Sequence, residues 1–430
     1  MKRARAAVAA AALFGIVLVS GPAEAASPYG RDEVTPYGTA PDAKPVTGTA
    51  SSTEGPRLRP GTYTDTISAG EKKFYRVVLD AESNAYVSTV LAPPPGSRVG
   101  SADGVRIVLE STDGAMCSVS NDVTFGGGTA RPIADYATRR IGRGRECQSA
   151  GDYLYSVEWI GSADTSGARS WPVEIKYMTE PGLQAGAVVP SAPSSWSSPA
   201  PVPVVGAAKG ISGGTGFNDA PAVGRGVWKD ELGPGESRFY RVPVDWGQRL
   251  FLDAEFANST TGQPEAVAGG LRLSLFNTAR GFVESADSTY LGKPATVSLR
   301  TAPAAFAHRT SAQDDTAAMR FSGWYYVRVS LDQRVGSTLP MTLHVGVEGE
   351  PQQGPAYDGD AVAAGFGIPD GDHEAGGGRD ALLTAVGLAG IGIGTVLVLV
   401  LAAWTALARR GGRVPAMPSA RDELVAAGEE

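Results

Sequence analysis

Histidine and cysteine are scarce in this chain of 430 residues: three of one, His308, His344 and His373, and two of the other, Cys117 and Cys147. None of the histidines stands in an H-E-x-x-H pattern, and serine-rich surroundings alone do not make a Ser-His-Asp triad. Two cysteines without a neighbouring histidine do not compose a zinc site, and without a C-x-x-C there is no redox pair. The glycine-rich "ISGGTGFNDAPAVGRG" at 211–226 lacks G-K-[ST] and G-x-G-x-x-G, which excludes the usual phosphate loops. It reads instead as a lead-in loop wrapping one end of a domain, with Asn218 and Asp219 bonded to local backbone. An excess of positive charge is also missing. Residues 26–380 hold 31 Lys plus Arg against 40 Asp plus Glu, a formal charge of −9. Such a surface repels a nucleic-acid backbone and has no general attraction for anionic lipid.

Long apolar runs are confined to the two ends. "MKRARAAVAAAALFGIVLVSGPAEA" has a basic start at Lys2, Arg3 and Arg5, an apolar stretch and small residues at Ala23 and Ala25. It reads as an export signal over 1–25. "ALLTAVGLAGIGIGTVLVLVLAAWTALA", Ala381 to Ala408, has no charged residue. As a helix it would extend about 42 Å, more than the roughly 30 Å of bilayer hydrocarbon. Arg409, Arg410 and Arg413 follow it, so the tail at 409–430 is expected in the cytoplasm and the bulk of the chain outside. Gly390 and Gly394 form one G-x-x-x-G pair, the weak basis for a helix-mediated homodimer.

In an oxidising exterior, Cys117 and Cys147 are expected to pair as a disulfide. In the chain-entropy account, closing that loop contributes about 3.5 kcal/mol. Composition divides the exterior into a flexible leader at 26–55, a first domain at 56–181, a Pro/Gly/Ser-rich linker at 182–216, a second domain at 217–350 and a flexible stalk at 351–380.

The two domains share a repeat. "GTYTDTISAGEKKFYRVVLD", beginning at Gly61, aligns without a gap on "GVWKDELGPGESRFYRVPVD", beginning at Gly226, with nine of twenty positions identical. "GVRIVLESTDG" then faces "GLRLSLFNTARG", "GDYLYSVEW" faces "SGWYYVRVS", and "PVEIKYM" faces "PMTLHVGV". Four elements in one order mark a duplicated unit. In "KFYRVVLD", alternation sends Tyr75, Val77 and Leu79 inward; the second copy sends Tyr240, Val242 and Val244 inward. Pro243 removes a ladder N–H and so predicts an edge strand or a bulge. Gly70 and Gly235 suit a turn that needs positive φ. No long helix is evident in either domain, which predicts mainly β structure: two β-sandwiches in tandem, or small barrels, followed by the transmembrane helix.

The Gly-rich start, strand, G-E turn and aromatic strand in both copies resemble the bacterial pre-peptidase C-terminal family. The resemblance implies jelly-roll-like sandwich modules that accompany exported enzymes and assist targeting, binding or processing without being proteolytic. No peptidase sequence accompanies them here.

The repeated charges, Glu71 with Glu236, Arg76 with Arg241 and Asp80 with Asp245, are expected to satisfy turns or pair across strands. Asp65 and Asp230 are the candidates for structural calcium, against a simpler role capping a nearby turn. No cofactor is otherwise expected. Trp228, Trp246, Trp324 and Tyr325 are the candidates for an aromatic binding strip, although aromatics of this density usually fill a core. Together these features predict a single-pass cell-envelope protein engaged in non-catalytic binding or assembly. Its expected partners are the bilayer, through the C-terminal helix, and an envelope polysaccharide or surface protein. The alternatives are an extracellular glycoside hydrolase, which needs two facing carboxylates, and a structural display spacer.

Overall fold

Alternating apolar residues become strands in both halves of the chain. The structure, a computed structural model, describes residues 34–119, 122–127, 129–161, 170–193, 196, 204–259 and 266–372. The expected export signal, residues 26–33 of the leader, the end of the stalk from His373, the expected membrane helix with Gly390 and Gly394, and the tail at 409–430 lie outside the described residues.

The first repeat comprises β1 (Lys44–Pro45), β2 (Arg57–Leu58), β3 (Gly61–Ile67), β4 (Lys72–Leu79), β5 (Asn84–Leu91) and β6 (Gly104–Ser111). It continues through β7 (Met116–Val119), β8 (Val123–Thr124), β9 (Ile133–Arg139), β10 (Gly151–Ile160) and β11 (Trp171–Glu180). One sheet has the order β1-β3-β11-β5-β9, the other β2-β4-β10-β6-β7, with β8 also on β6. The second repeat comprises β12 (Lys209–Gly210), β13 (Gly226–Leu232), β14 (Ser237–Val244), β15 (Arg249–Phe256) and β16 (Val267–Phe276). It ends with β17 (Phe282–Tyr290), β18 (Ala295–Arg300), β19 (Gly323–Leu331) and β20 (Leu339–Glu348). Its sheets, β12-β13-β20-β15-β18 and β14-β19-β16-β17, repeat the order of the first, without counterparts of the two-residue strands β2 and β8.

Each repeat buries one core between its two sheets. In the first, Tyr63, Val87 and Ile175 meet Tyr75, Ile107 and Tyr155; in the second, Trp228, Leu252 and Leu343 meet Tyr240, Leu273 and Val327. The expected inward residues of β4 and β14 are all buried. This is a predominantly β fold of tandem sandwich-like units. The expected turns are present, with Gly70 at φ 72° and Gly235 at φ 78°, and Pro243 lies on β14, the last strand of its sheet. Cys117 and Cys147 are joined in a disulfide with a Cα–Cα distance of 5.4 Å.

The alternation fails where the repeats meet. All eight residues of β5 are buried. Ala85, Val87 and Leu91 enter the core of their own repeat, while Tyr86 and Val90, on the opposite face, pack against Phe321 and Phe276 of the second repeat. On β14, Phe239 is buried on the face expected to be outward, against Phe217 and Tyr37. The two repeats are therefore packed sheet against sheet.

The leader and stalk, expected to be flexible, and the linker, expected to be extended, are folded over their described parts. From the leader, Tyr37 packs on Phe239 and β1 adds a parallel strand to β3. From the linker, β12 adds the equivalent strand to β13, and Gly214 bridges to Phe239. From the stalk, Tyr357 bridges to Leu183, and Phe366, 2% exposed, packs against Tyr86 and Phe321. Burying a ring of that size contributes about 2 kcal/mol, enough to hold a short polar segment in place. Their proline and glycine content hid a few well-spaced anchors.

Candidate functional site

The repeated polar residues are structural. Asp65 Oδ2 accepts hydrogen bonds from the Gly48 N–H and the Tyr75 hydroxyl, both at 2.8 Å, and Oδ1 accepts from Lys73 Nζ at 2.9 Å. Asp230 Oδ2 likewise accepts from the Gly213 N–H at 2.7 Å and the Tyr240 hydroxyl at 2.8 Å. These protein donors give both aspartates the simpler joining role rather than the alternative of calcium binding, and among the described residues no group of three or more His, Cys, Asp or Glu is arranged to hold a metal. Glu71 and Glu236 accept from the Ser68 and Gly233 N–H groups, closing the two turns. Asp80 caps the backbone at Glu82 and Ser83, while Arg76 faces Asp152 at 3.8 Å. Arg241 instead lies over the Trp324 ring at 4.4 Å.

The aromatic candidates do not form an exposed strip. Trp228 is 5% exposed and Tyr325 fully buried, both in the second core, because alternation directs them inward. Trp324 is half-buried against the cluster between the repeats, and half-buried Trp246 packs near Phe306. His308 is buried with Nδ1 near the Met319 carbonyl, and burial holds its pKa below the ordinary value. His344 Nε2 faces Glu255 at 3.3 Å.

Two buried carboxylates on β11 tie the repeats together. Glu174 Oε1 pairs with Arg280 Nη1 and accepts from the Tyr37 hydroxyl at 3.1 Å. Its Oε2 accepts from the Ala40 N–H at 2.7 Å and Asn218 Nδ2 at 3.0 Å. Asn218 therefore reaches across to the first repeat, whereas Asp219 stays local, accepting from the Thr215 and Gly216 N–H groups. Glu180 accepts from Asn84 and Tyr86 of its own repeat at 2.8 Å, and from Arg309 at 3.1 Å and Tyr357 at 2.7 Å. Arg280 sits at φ 64° in a turn of the same length and hydrogen bonding as its counterpart, in the place where the first copy has Gly114 at φ 91°. A non-glycine residue there costs about 1–3 kcal/mol, which the ion pair with Glu174 offsets. The next residue, Gly281, lies so close to Tyr136 that an added Cβ would stand 1.4 Å from its ring.

Beside this seam a cleft of about 470 Å³ opens between the repeats. The first repeat supplies Arg131, Asp135, Tyr136 and Arg140, and the second supplies Arg272, Phe282, Asp314, Arg320 and Arg328. Arg328 donates to the Pro132 carbonyl and, at 2.9 Å, to Ser274 Oγ; Arg131 donates to the Phe125 carbonyl at 2.5 Å. Burial, and then Arg272 nearby, pull the Arg131 pKa down to about 9. Burial and then the charges of Arg131 and Arg272 hold Arg328 well below the usual guanidinium range. Burial pushes the Asp135 carboxyl up to about 7, although its Oδ1 accepts from the Tyr136 and Phe282 N–H groups at 2.8 and 3.1 Å. Of these arginines only Arg272, which matches Arg106, and Arg328, within "SGWYYVRVS", belong to the aligned repeat words, and Arg131, Arg140 and Arg320 lie outside them.

No family model matches the chain, and no curated protein matches it. Among solved structures, it is similar to the pre-peptidase C-terminal domain of collagenase from Bacillus anthracis: 13% identity, covering 29% of this chain and 94% of that one, TM-score 0.19. It is also similar to a chain in the complex of plant peptide RALF23 with FER and LLG2: 8% identity, 72% and 96% coverage, TM-score 0.23. A third likeness is to the CBM22-1-CBM22-2 tandem domain of Paenibacillus barcinonensis Xyn10C: 12% identity, 71% and 95% coverage, TM-score 0.18. All are distant.

Proposed function

We propose that the chain is a single-pass protein of the bacterial cell envelope whose exported repeats bind an envelope polysaccharide or surface protein without catalysis. The cleft between the repeats carries this reading: a polar, half-open recess whose walls come from two β units held by buried ion pairs. Sites of this kind suit recognition because their frame needs little ordering when a ligand arrives. The membrane topology rests on the sequence signals at the two ends, with the helix at Ala381 to Ala408 as anchor.

Asp135, whose carboxyl pKa is raised, shares the cleft with Asp314, which invites a hydrolase reading. Against it, Asp135 Oδ1 is committed to two backbone N–H groups, one from each repeat, as befits a residue that holds the seam. The test is direct binding of the full-length chain to a panel of envelope polysaccharides and surface proteins, with product analysis in parallel. Saturable binding, weakened by substitutions in the cleft and unaccompanied by new reducing ends, is expected. Sugar release that disappears in Asp135→Asn would establish hydrolysis instead; an empty panel would leave a display spacer.

A further inference from the structure

Three guanidinium groups meet at one end of the cleft with too little negative charge to match them. Arg272 lies opposite Ser330, and Arg328 opposite Ser274, on the adjacent strands β16 and β19. The two arginines therefore rise from the same face of the sheet as diagonal neighbours, about 7–8 Å apart at the backbone. Arg131 comes from the first repeat, beside the Pro132 carbonyl that receives Arg328. Arg131 and Arg328 are 7% and 4% exposed, and the Nε of each has no hydrogen-bond partner. Among the described residues, neither is ion-paired with a carboxylate; Arg272 has Asp287, at 3.4 Å. Buried charges are ordinarily paired, and buried donors ordinarily bonded.

We propose that Arg131, Arg272 and Arg328 bind a phosphoryl group, free or carried on a small sugar, in the cleft between the repeats. Arg131 and Arg328 are the two without an ion-paired carboxylate among the described residues, a pair of charges that a phosphoryl dianion matches and a single carboxylate does not. Guanidinium forks also suit the several oxygens of a phosphoryl group. The recess, about 470 Å³, has the size of a small-molecule site. Phe282 on its wall is 40% exposed and offers a face on which a sugar ring can rest. The proposal rests on reading the exported repeats as a binding unit and names the ligand chemistry of that same cleft.

Calorimetry and thermal melting of the full-length chain in mild non-ionic detergent test it, with inorganic phosphate, glucose 1-phosphate and acetate at matched ionic strength. At least one phosphate compound should bind saturably and raise the melting temperature, with acetate at least about ten-fold weaker. Arg272→Gln should weaken that binding about ten-fold while leaving the unliganded melting curve in place. Arg328→Lys, which keeps the charge and loses the fork, should weaken it too. Equal affinity for the two compounds identifies the free anion; tighter binding of the sugar ester, abolished in Phe282→Ala, identifies the ester. Failure of both phosphate compounds to bind, equal binding of acetate, or binding indifferent to Arg272→Gln overturns the proposal. Polysaccharide or protein binding that persists after such a failure keeps the general binding function and removes only this ligand.

Discussion

Asp230 shows why a duplicated residue need not be a ligand. Its carboxylate joins a strand, a tyrosine hydroxyl and the N–H of Gly213, and Asp65 makes the same joint in the first copy. Asp230→Ala should strand two buried donors and destabilise the chain by about 2 kcal/mol or more, lowering the melting temperature by roughly 5 °C in a calorimetric scan. The repeated aspartates were legible, but their partners Gly48 and Gly213 stand outside the matching words, in "TGT" and "SGG". The equal spacing of 165 residues was the available signal. Asp135 should govern pH dependence. Burial foremost, then Asp314, raises its pKa to about 7, opposed by the Tyr136 and Phe282 N–H groups and by Arg320. In the unfolded chain it ionises near pH 4. Across that window the folded chain retains a proton that the unfolded chain has released, so stability from this group falls as pH rises and levels off above about pH 7. Denaturant titrations of Asp135→Asn should lack that slope.

At the scale of single elements, the sequence was most readable where a strand has one wet face. β4 alternates as expected and β17 alternates too, whereas β5 and β19 are buried on both faces and carry no clean period. "NAYVSTVL" is apolar or small throughout, the composition of a strand between two packed layers. The second departure is the turn at Asn277 to Gly281, where Arg280 replaces the first copy's Gly114 and reaches Glu174, and where Gly281 leaves room for Tyr136. Gly281→Ala should therefore disturb the seam, detected as faster proteolysis between the repeats with their cores intact. The third is the stalk. Phe366→Ala removes a ring packed on Tyr86 and Phe321 and should cost about 3 kcal/mol by chemical denaturation.

For the whole molecule, the duplication was visible in the primary structure and the fusion of its copies was not. A charge pattern cannot announce that Glu174 will find Arg280, since the two are separated by 106 residues and stand in different repeated words of different copies. Proline-rich composition between the repeats suggested independent beads, yet leader, linker and stalk each contribute anchors to one joined body. Breaking a buried ion pair by removing one partner typically costs about 3–5 kcal/mol. Glu174→Ala should therefore loosen the two repeats more than it harms either core. The decisive measurement is equilibrium unfolding followed by two probes at once, one reporter dye placed on the first repeat and another on the second. One coincident transition in the parent chain, separating into two in Glu174→Ala, is the predicted result; two separate transitions in the parent chain would contradict the fused architecture on which the cleft depends.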